Sequence, residues 1–587
     1  MAEYNNPQNE PGGDKRLMLI IVVSFVFMLL AQPLLKKYFP APPPPQKIAQ
    51  TEQTPPTQQA SPITKSATTA PAPPSAPAVT KQAAGETETV IEGDLYRVTF
   101  TNRGAQVKSW ILRKFDNDAE KGSLDLVNPA TAAQYGYPLS LYSYDEELRG
   151  RLNSALYVVL QNGKQVTFEY SDRDLSVRKV FKFDDTYVVK IEASVTYKGI
   201  PKETLPAWPA GFGDQATPAF YATSLLAYQF NKNIERVQPR CGFSLFSKCT
   251  QVIGGATVPG PFHWAGPTDQ YFAAVFIPDD PSAASMVTLN HSMPIPKDPQ
   301  KPQDTVNVDV IGAAVGTLHG TVSERLFAGP KELQVLEKVP VPGVSGADND
   351  LNGLVDFGWW GILAKPLFVW LRWTYHHVIG NWGWSIVIQT LIITLALLPL
   401  RISQMKSMLK MQRVAPQIKS IQEKYKKYSL RDPRKAAMNE EIAALYKKEG
   451  VNPAGGCLPM LIQMPFLFAY YRMLSTALDL RHAHWLWIKD LSAPDPIYLL
   501  PILMVVSSLV TQRMTPQAGM DPAQQRMMNV MMPLMMGFIF FRLQAGLNLY
   551  YGVSNLISIA QQAVMNRTSL GREMREIMAK RARKKDK

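Results

Sequence analysis

The stretch GLNLYYGVSNLISIAQQ, residues 546–562, decides the fold class of the C-terminal part of this chain. It is long and apolar enough to cross a lipid bilayer as a helix. Four of its polar residues recur at the spacing i, i+4, i+7 and i+11, namely Tyr551, Asn555, Ser558 and Gln562. On a helix this spacing forms one stripe, and a polar stripe in a membrane span has to face protein or water. The stretch therefore predicts a wet, polar surface inside the bilayer.

Further apolar segments precede this stretch. Together they predict a helical membrane core of five spans, at about residues 382–400, 457–478, 498–512, 527–541 and 547–564. The third and fourth spans are short, which predicts tilted helices or locally thinned lipid. A separate apolar run follows Lys15 and Arg16 and predicts one extra N-terminal transmembrane helix within residues 1–38, with a cleaved signal peptide as the alternative.

The N-terminal half has a different pattern. Residues 39–85 are rich in Pro, Ala, Thr and Ser, which predicts an extended, disordered linker. In residues 86–345, short runs such as LYRVTF alternate β-branched or aromatic residues with polar ones, which predicts an all-β sandwich. Cys241 and Cys249 lie in one of its polar loops, where either a disulfide or two free thiols are consistent with the spacing.

Basic and amphipathic segments flank the predicted spans. Residues 354–379 cluster tryptophans with Lys365 and Arg372, which predicts an interfacial helix that Pro366 breaks or kinks. Residues 403–450 predict a hairpin of two helices joined at SLRDP. The hairpin and the tail at 567–587 carry much of the net charge of +14. These clusters flank spans, so they predict a cytoplasmic hairpin, cytoplasmic termini and a periplasmic β domain rather than a DNA-binding surface.

The sequence contains no recognisable catalytic pattern. It has no phosphate-binding Walker loop, GxSxG, HExxH or CxxC motif. His482 and His484 form an HxH pair without a third ligand nearby, so neither a metal nor a cofactor is expected. The predicted spans contain no Asp or Glu, which argues against a proton relay of the pump type.

Uncharged polar residues on several spans are the candidate site. Thr390 and Thr394 lie four residues apart, and Arg401 continues their stripe toward the cytoplasm. The full candidate set comprises Gln389, Thr390, Thr394, Arg401, Gln463, Ser508, Thr511, Tyr550, Tyr551, Asn555 and Ser558. Polar stripes on separate spans favour a shared hydrophilic groove. The alternative is that these side chains hold helices together or bond back to their own helix.

Methionine is the second signal. Met405, Met408 and Met411 line the start of the predicted hairpin, and six more fill the fourth span. Flexible, polarizable side chains suit a surface that packs against many apolar clients or contacts the ribosome. Ordinary lipid-facing or core packing explains the same pattern equally well.

Several sequence blocks resemble the YidC membrane-protein insertases of Gram-negative type. They are GVNPAGGCLPMLIQMP at 450–465, LSAPDPIYLLPILM at 491–504, MDPAQQRMM at 520–528 and the stretch at 546–562, with NWGWS at 381–385 and LYKKEGVNP at 445–453. VTFTNRGAQVKSWIL at 98–112 resembles the start of the periplasmic domain of that family. The order and spacing of these blocks make the resemblance specific.

The resemblance implies a multi-domain membrane protein. It would combine a periplasmic β super-sandwich, an interfacial helix, a core of five transmembrane helices, a cytoplasmic hairpin and one extra N-terminal transmembrane helix. It also implies a groove open to cytoplasm and lipid but closed to the periplasm. Thr390 and one of Tyr550 or Tyr551 match residues important in the family. The implied partners are nascent membrane-protein clients, the Sec translocon, membrane lipids and the ribosome, the last through the hairpin and basic tail.

One position departs from the family pattern. The family usually has an arginine four residues after the equivalent of Thr390, and this chain has Thr394 there. Arg401 and Arg472 are the candidate replacement charges. Arg472 lies deep in the second span, and we expect it to extend toward the periplasmic headgroups instead.

The expected function is non-enzymatic insertion of inner-membrane proteins, alone or with the Sec translocon. Three alternatives remain at the sequence level. The first is a chaperone that acts only after Sec-mediated insertion. The second is a solute transporter, although neither inverted repeats nor broken helices are visible. The third is a sugar-active periplasmic enzyme, which would need a pair of close carboxylates.

Overall fold

The computed structural model describes residues 80–117, 122–213, 224–230, 233–240, 250–297, 303–317, 321–343, 350–425, 428, 434–451, 458–514, 530–569, 572–573 and 576. The predicted N-terminal span, most of the Pro-rich linker and most of the basic tail lie outside these residues. Cys241 and Cys249 also lie outside them, so their pairing stays a prediction.

The Pro-rich linker ends earlier than the predicted residue 85. Lys81 and Ser171 exchange two backbone hydrogen bonds of 2.9 Å, and the Lys81 ammonium pairs with Glu169 at 2.7 Å. Ala83 N–H donates to the Leu156 carbonyl at 3.1 Å. Residues 81–83 are therefore part of the β-rich region, because their backbone groups pair with its edge rather than with water.

The β-rich region contains strands that we number in chain order. They are β1 Glu88–Glu92, β2 Tyr96–Thr101, β3 Gln106–Asp116, β4 Ser123–Asp125, β5 Ser140–Tyr142, β6 Val158–Asn162, β7 Gln165–Ser171, β8 Leu175–Phe183, β9 Val188–Tyr197 and β10 Ile200–Pro201. The series continues with β11 Leu205–Trp208, β12 Leu225–Phe230, β13 Asn233–Gln238, β14 Thr250–Gln251, β15 Thr257–Pro259, β16 Phe262–Thr268, β17 Phe272–Pro278, β18 Ala284–Pro296, β19 Thr305–Thr317 and β20 Val322–Pro330.

These strands form three sheets. β1 to β4 pair in chain order, and the largest sheet runs β14-β13-β12-β16-β17-β20-β9-β8-β7-β6, with β10 beside β9. The third sheet runs β15-β18-β19-β11-β5. Strands β16 and β17 pack against β19, so the second and third sheets face each other as in a sandwich. In β8, Leu175 and Val177 are buried whereas Ser176 and Arg178 are exposed, because successive side chains of a strand point to opposite faces of the sheet.

Lys179 is a charged residue at one of the buried positions of β8. Its ammonium group is buried and donates hydrogen bonds to the carbonyls of Gly104 at 2.7 Å, Ala105 at 3.1 Å and Leu139 at 2.9 Å. Burial lowers the pKa of Lys179 to about 7. The three carbonyls satisfy all three ammonium hydrogens, so this lysine ties β8 to two loops of the sandwich interior.

The prediction of an all-β sandwich is wrong in detail, because within the described residues two short α-helices lie between strands and a third follows β20. They are α1 Pro129–Tyr135, α2 Glu146–Ser154 and α3 Leu333–Leu336. Asn128 and Asp145 cap the first two by accepting hydrogen bonds from the backbone N–H groups of Thr131 and Leu148. These caps are local start signals that an alternating hydrophobic pattern does not reveal.

The C-terminal region is helical. After 3-10 turns at Asn352–Leu354 and Gly358–Trp360, its helices are α4 Gly361–Thr374, α5 Trp382–Ala396, α6 Leu398–Lys424, α7 Arg434–Lys448, α8 Leu458–Thr476, α9 Leu499–Met514, α10 Met532–Phe540 and α11 Ala545–Arg567. A π-helical turn at Tyr375–Ile379 follows α4, and a 3-10 turn at Leu478–Leu480 follows α8. Helix α4 runs through Pro366 without ending there.

Within the described residues, no single helix is both long and apolar enough to cross a membrane by length and composition. One bent pair passes that test together: Gly361–Ile379 and Trp382–Ala396 meet at 112°. Gly380, at φ 40°, and Asn381, whose side chain accepts from Trp384 N–H, form the corner between them. A left-handed residue followed by an N-cap ends one helix and starts the next in a new direction.

Helices α6 and α7 form the hairpin. Val414 and Ile418 of α6 pack with Ile442 of α7 and with Val451. Met405 and Leu409, nearer the start of α6, pack against Met565 of α11. The hairpin is thus packed both internally and against the end of the last helix.

Candidate functional site

Helix α11 packs against both α5 and α9, and this three-helix interface holds most of the predicted polar residues. The first half of α11 is buried because its small and apolar residues, including Gly546, allow close packing. The N-terminal ends of α5, α9 and α11 lie toward the β-rich region, since Gly546 of α11 lies beside Ile386 of α5 and the end of α8, which bonds to Gln270. Their C-terminal ends lie toward the hairpin, where Met565 of α11 packs against Met405. We call these the β-side end and the hairpin-side end.

A buried chain of polar contacts crosses four helices near the β-side end. The Gln389 amide of α5 donates to the Leu367 carbonyl of α4 at 2.9 Å, and its oxygen accepts a hydrogen bond from the Tyr470 hydroxyl of α8 at 2.8 Å. The Tyr470 ring stacks on the Tyr550 ring of α11, with centroids 3.9 Å apart. We call Gln389, Tyr470 and Tyr550 the outer node.

Three predicted groove hydroxyls do not face an open groove. Thr390 donates to the Ile386 carbonyl at 2.6 Å, Thr394 to the Thr390 carbonyl at 2.7 Å, and Ser558 to the Ser554 carbonyl at 2.5 Å. Their exposed fractions are 0%, 5% and 7%. These three residues therefore bond back to their own helix, which was the alternative to a groove. A helical Ser or Thr can satisfy its hydroxyl on the carbonyl one turn earlier.

Polar side chains at the hairpin-side end are only half-buried. Arg401 donates to the Gln561 amide oxygen at 3.1 Å, and the Gln561 amide donates to the Thr394 carbonyl at 3.3 Å. Both side chains are partly accessible. Arg401 is thus linked through Gln561 to the backbone of Thr394, the position where the family pattern has an arginine.

A second set of polar contacts joins α11 to α9. The Asn555 amide donates to the Ser508 hydroxyl at 2.9 Å and to the Ser507 hydroxyl at 3.2 Å. Thr511 lies one turn further and donates to the Ser507 carbonyl at 2.8 Å. Tyr551 packs its ring against Phe540 of α10, with centroids 5.1 Å apart. We call Arg401, Gln561, Asn555, Ser508 and Thr511 the inner polar face.

The structure separates Arg472 from this interface. Its guanidinium donates to the Asp356 carboxylate at 2.9 Å and to the Asp356 carbonyl at 3.1 Å. Asp356 precedes α4 at the junction with the β-rich region. Arg472 therefore points away from the groove toward the β side, as expected, and it is not a replacement charge. Its partner is a carboxylate of the chain rather than a headgroup.

The methionines predicted as client or ribosome contacts are engaged within the chain. Met405 is buried against Leu409 and Met565, and the Gln562 amide approaches its sulfur at 3.8 Å. Met411 is half-buried and packs in the core of the hairpin. The side chain of Met408 lies outside the described residues. Gln463 is half-buried on α8.

Three residues of this interface are absent from the candidate set predicted from the sequence. Tyr470 and Gln561 complete contacts of Gln389 and Arg401, and Ser507 shares Asn555 with Ser508. The i, i+4 stripe contained Gln562 rather than Gln561, although both are polar. Among the described residues, no group of three His, Cys, Asp or Glu side chains is placed to hold a metal ion.

Two family models cover most of the chain. Residues 88–370 match the model described as the YidC periplasmic domain, and residues 373–572 match the model described as 60Kd inner membrane protein. The membrane protein insertase YidC of Geobacter sulfurreducens is 32% identical over 497 residues, which cover 81% of this chain and 85% of that protein.

Two further matches cover different fractions of this chain and of the matched protein. The membrane protein insertase YidC of Cupriavidus necator is 42% identical over 331 residues, or 56% of this chain and 55% of that protein, so the chain spans about half the length of that relative. A solved structure described as an active YidC insertase with the first transmembrane domain resolved is 20% identical, with a TM-score of 0.35, and covers 83% of this chain and 94% of that chain. The two family models and the Geobacter relative show that this chain belongs to the YidC membrane protein insertase family.

Proposed function

We propose that this chain is a membrane protein insertase of the bacterial inner membrane, without enzymatic activity. The observation that carries the proposal is the position of the partly accessible polar groups between α5, α9 and α11. Gln389 and Thr390 are fully buried near the β-side end, whereas Arg401, Asn555 and Thr511 are partly accessible toward the hairpin. Such an interface offers polar partners from one side of the membrane only.

The orientation follows from the charges. The basic hairpin and tail support an orientation with the hairpin-side end and both termini in the cytoplasm and the β-rich region in the periplasm. The inner polar face then opens toward the cytoplasm, where nascent clients arrive. The ribosome would contact the hairpin and basic tail, and the Sec translocon would share clients that need both.

The physical task is to lower the cost of moving a polar segment across the bilayer. Placing Asp, Lys or Arg at the centre of a span costs about 2.5–3.5 kcal/mol per residue on insertion scales. Arg401 would attract an acidic client segment, and the amides of Asn555 and Gln561 would replace part of its hydration. The polar part of the client therefore crosses a shorter apolar path.

Helix α10 would shorten that path further. The sequence predicts a short span at 527–541, and residues Met532–Phe540 of α10 rise about 13 Å at 1.5 Å per residue, against about 30 Å for a typical hydrocarbon core. Leu534 and Phe538 are exposed on it, as expected for a face toward lipid. Hydrophobic mismatch at such a short helix thins the adjacent lipid. The apolar part of the client then moves sideways into lipid, driven by its own transfer and by the membrane potential.

Depletion followed by add-back tests the proposal. Cells depleted of the protein are supplied with the wild-type chain or with an empty vector, and the insertion of a single-span client with an acidic periplasmic tail is measured by protease protection. We expect insertion to fail without the chain and to recover with it. Normal insertion in depleted cells would contradict the proposal, and crosslinks to clients only after their insertion would favour the chaperone alternative.

A further inference from the structure

We propose that the outer node, Gln389 with Tyr470 and Tyr550, is the seal that closes the polar interface toward the periplasm. This inference rests on the proposed function, because it names the residues that hold one end of the groove shut. The node joins α4, α5, α8 and α11 through two hydrogen bonds and one ring stack. No other set of contacts at this interface joins so many helices within the described residues.

The position of the node fits a seal. Gln389 lies seven residues after Trp382 at the start of α5, or about 10 Å along the helix. Arg401 follows Gln389 by twelve residues, or about 18 Å, across the α5–α6 break. Between the node and the β-side end, Ser385 and Ile386 are fully buried. Among the described residues, the partly accessible groups of the inner polar face therefore lie on the hairpin side of the node.

The chemistry of the node explains why it stays closed. The Gln389 amide has one partner on each side, the Leu367 carbonyl and the Tyr470 hydroxyl. Both bonds lie where water is excluded, so separating the helices would leave a buried amide and a buried hydroxyl without partners. The stacked Tyr470 and Tyr550 rings block the space beside them. A water path can form only when these contacts break together.

A thiol-accessibility experiment tests the seal directly. The three native cysteines are replaced by serine, and Asn555→Cys is introduced on the hairpin side of the node in the full-length chain, at a position that is partly accessible. A charged, membrane-impermeant maleimide is added to the periplasmic face of spheroplasts, and the labelling rate is measured without any client. The parent carrying Asn555→Cys should label slowly from this side, because the node excludes the reagent, and quickly when the same reagent is added to the cytoplasmic face of inverted vesicles.

Single variants at the node should open it, and the double variant should close it again. Tyr470→Phe leaves the Gln389 oxygen without its donor, and Gln389→Leu leaves the Tyr470 hydroxyl without its acceptor. Each should raise the labelling rate about tenfold, because a buried polar group that loses its partner recruits water. The double variant removes both groups and should return labelling to within about threefold of the parent. Tyr498→Phe, which removes a half-exposed hydroxyl outside the interface, should leave the rate unchanged.

The outcomes separate the seal from the proposed function. Unchanged labelling in both single variants, or a double variant as accessible as the singles, would overturn the seal. The labelling assay contains no client, so it does not depend on insertion. If clients insert normally in depleted cells while the labelling order holds, the insertase proposal fails and the node remains the closed end of a polar interface.

Discussion

Arg472 and Asp356 form an ion pair of 2.9 Å that joins α8 to the segment leading into α4. Arg236 of β13 approaches the same carboxylate at 3.9 Å and donates to the Gly353 carbonyl at 2.8 Å. Gln270, in the turn between β16 and β17, donates to the Ser475 carbonyl at the end of α8, also at 2.8 Å. The β-rich region is therefore bonded to the helical region, and Asp356 is shared by both.

Replacing the shared carboxylate should weaken this junction. We expect Asp356→Asn to lower the free energy of unfolding by about 1 kcal/mol, because two partly buried guanidinium groups lose their counter-charge while the pair remains partly solvated. Thermal unfolding of the detergent-solubilised chain measures the change. Asp304→Asn is the control, since the Lys297–Asp304 pair is exposed and its loss should have almost no effect.

The same pair predicts sensitivity to acid. Partial burial raises the pKa of Asp356, but attraction by Arg236 and Arg472 outweighs it and holds the pKa below its ordinary value. The stabilisation is therefore complete above the unfolded-state value of about 3.9 and is lost as pH falls through the folded-state pKa. The difference in Tm between wild type and Asp356→Asn should shrink as pH falls from about 5 to about 3. A constant difference would contradict this assignment.

Glu324 predicts the opposite pH dependence. It is fully buried in β20, and neither carboxyl oxygen has a hydrogen-bond partner among the described residues. Burial raises the pKa of Glu324 well above its ordinary value, and repulsion by Asp279 adds to the shift. The folded chain then retains a proton that the unfolded chain loses above about pH 4.3, so stability falls as pH rises through this range.

Glu324→Gln should remove this penalty. We expect Tm values equal to wild type near the ordinary glutamate pKa, about 4.3, and an increasing advantage for the variant toward about pH 8. Glu192→Gln on the adjacent β9 is the control. The hydrogen bond from Lys182 lowers the pKa of Glu192, so its replacement should reduce Tm at neutral pH instead. A pH-independent effect of Glu324→Gln would show that the carboxyl group does not titrate between these values.

Two helical glycines should respond to alanine with opposite signs. A Cβ on Gly383 of α5 would lie 2.1 Å from Trp485 Cδ1, whereas a Cβ on Gly552 of α11 meets nothing within 4 Å. Gly383→Ala should lower the free energy of unfolding by about 1–3 kcal/mol through overpacking. Gly552→Ala should raise it by about 0.5–1 kcal/mol, because alanine loses less backbone entropy in a helix. Thermal unfolding compares them, and equal effects would refute the steric explanation.

The inner polar face predicts a functional difference between neighbours on α11. Asn555→Leu removes the amide that reaches Ser507 and Ser508 and that would bind the carboxylate of an acidic client. A hydrogen bond to a charged group contributes about 1.5–3 kcal/mol, so insertion of an acidic single-span client should fall at least about tenfold. Leu556 is exposed on the other face, and Leu556→Ala should support normal insertion. The add-back assay measures both variants, with protein level checked by immunoblot. Full activity of Asn555→Leu would remove this residue from the site.

Hydrophobic pattern located the helical segments well, but it placed their ends less accurately. The predicted span at 547–564 lies within helix Ala545–Arg567, and that at 457–478 contains helix Leu458–Thr476. The span predicted to end at residue 400 instead breaks at Leu397, where α5 passes into α6. A run of leucines shows no signal for that break, because hydrophobicity measures the preferred environment and not the local backbone path.

The polar residues could be identified from the sequence, but their partners could not. Helical spacing grouped Tyr551, Asn555 and Ser558, yet they contact Phe540, two serines of α9 and their own helix, respectively. A stripe specifies the direction of a side chain on its helix. It does not specify which neighbour lies opposite, because that depends on how separate helices pack.

A β-rich half and a helical half with polar residues in its apolar segments can be predicted from residue order alone, because burial and backbone pairing impose periods of about 2 and 3.6 residues. Which polar groups are satisfied within the protein, and which stay partly open, depends on how the helices pack. Arg472 hydrogen-bonds Asp356, and Tyr470 hydrogen-bonds Gln389, because packing brings residues that are far apart in sequence within hydrogen-bonding distance. A buried polar group has to find a partner, and the choice of partner is a property of the packed helices.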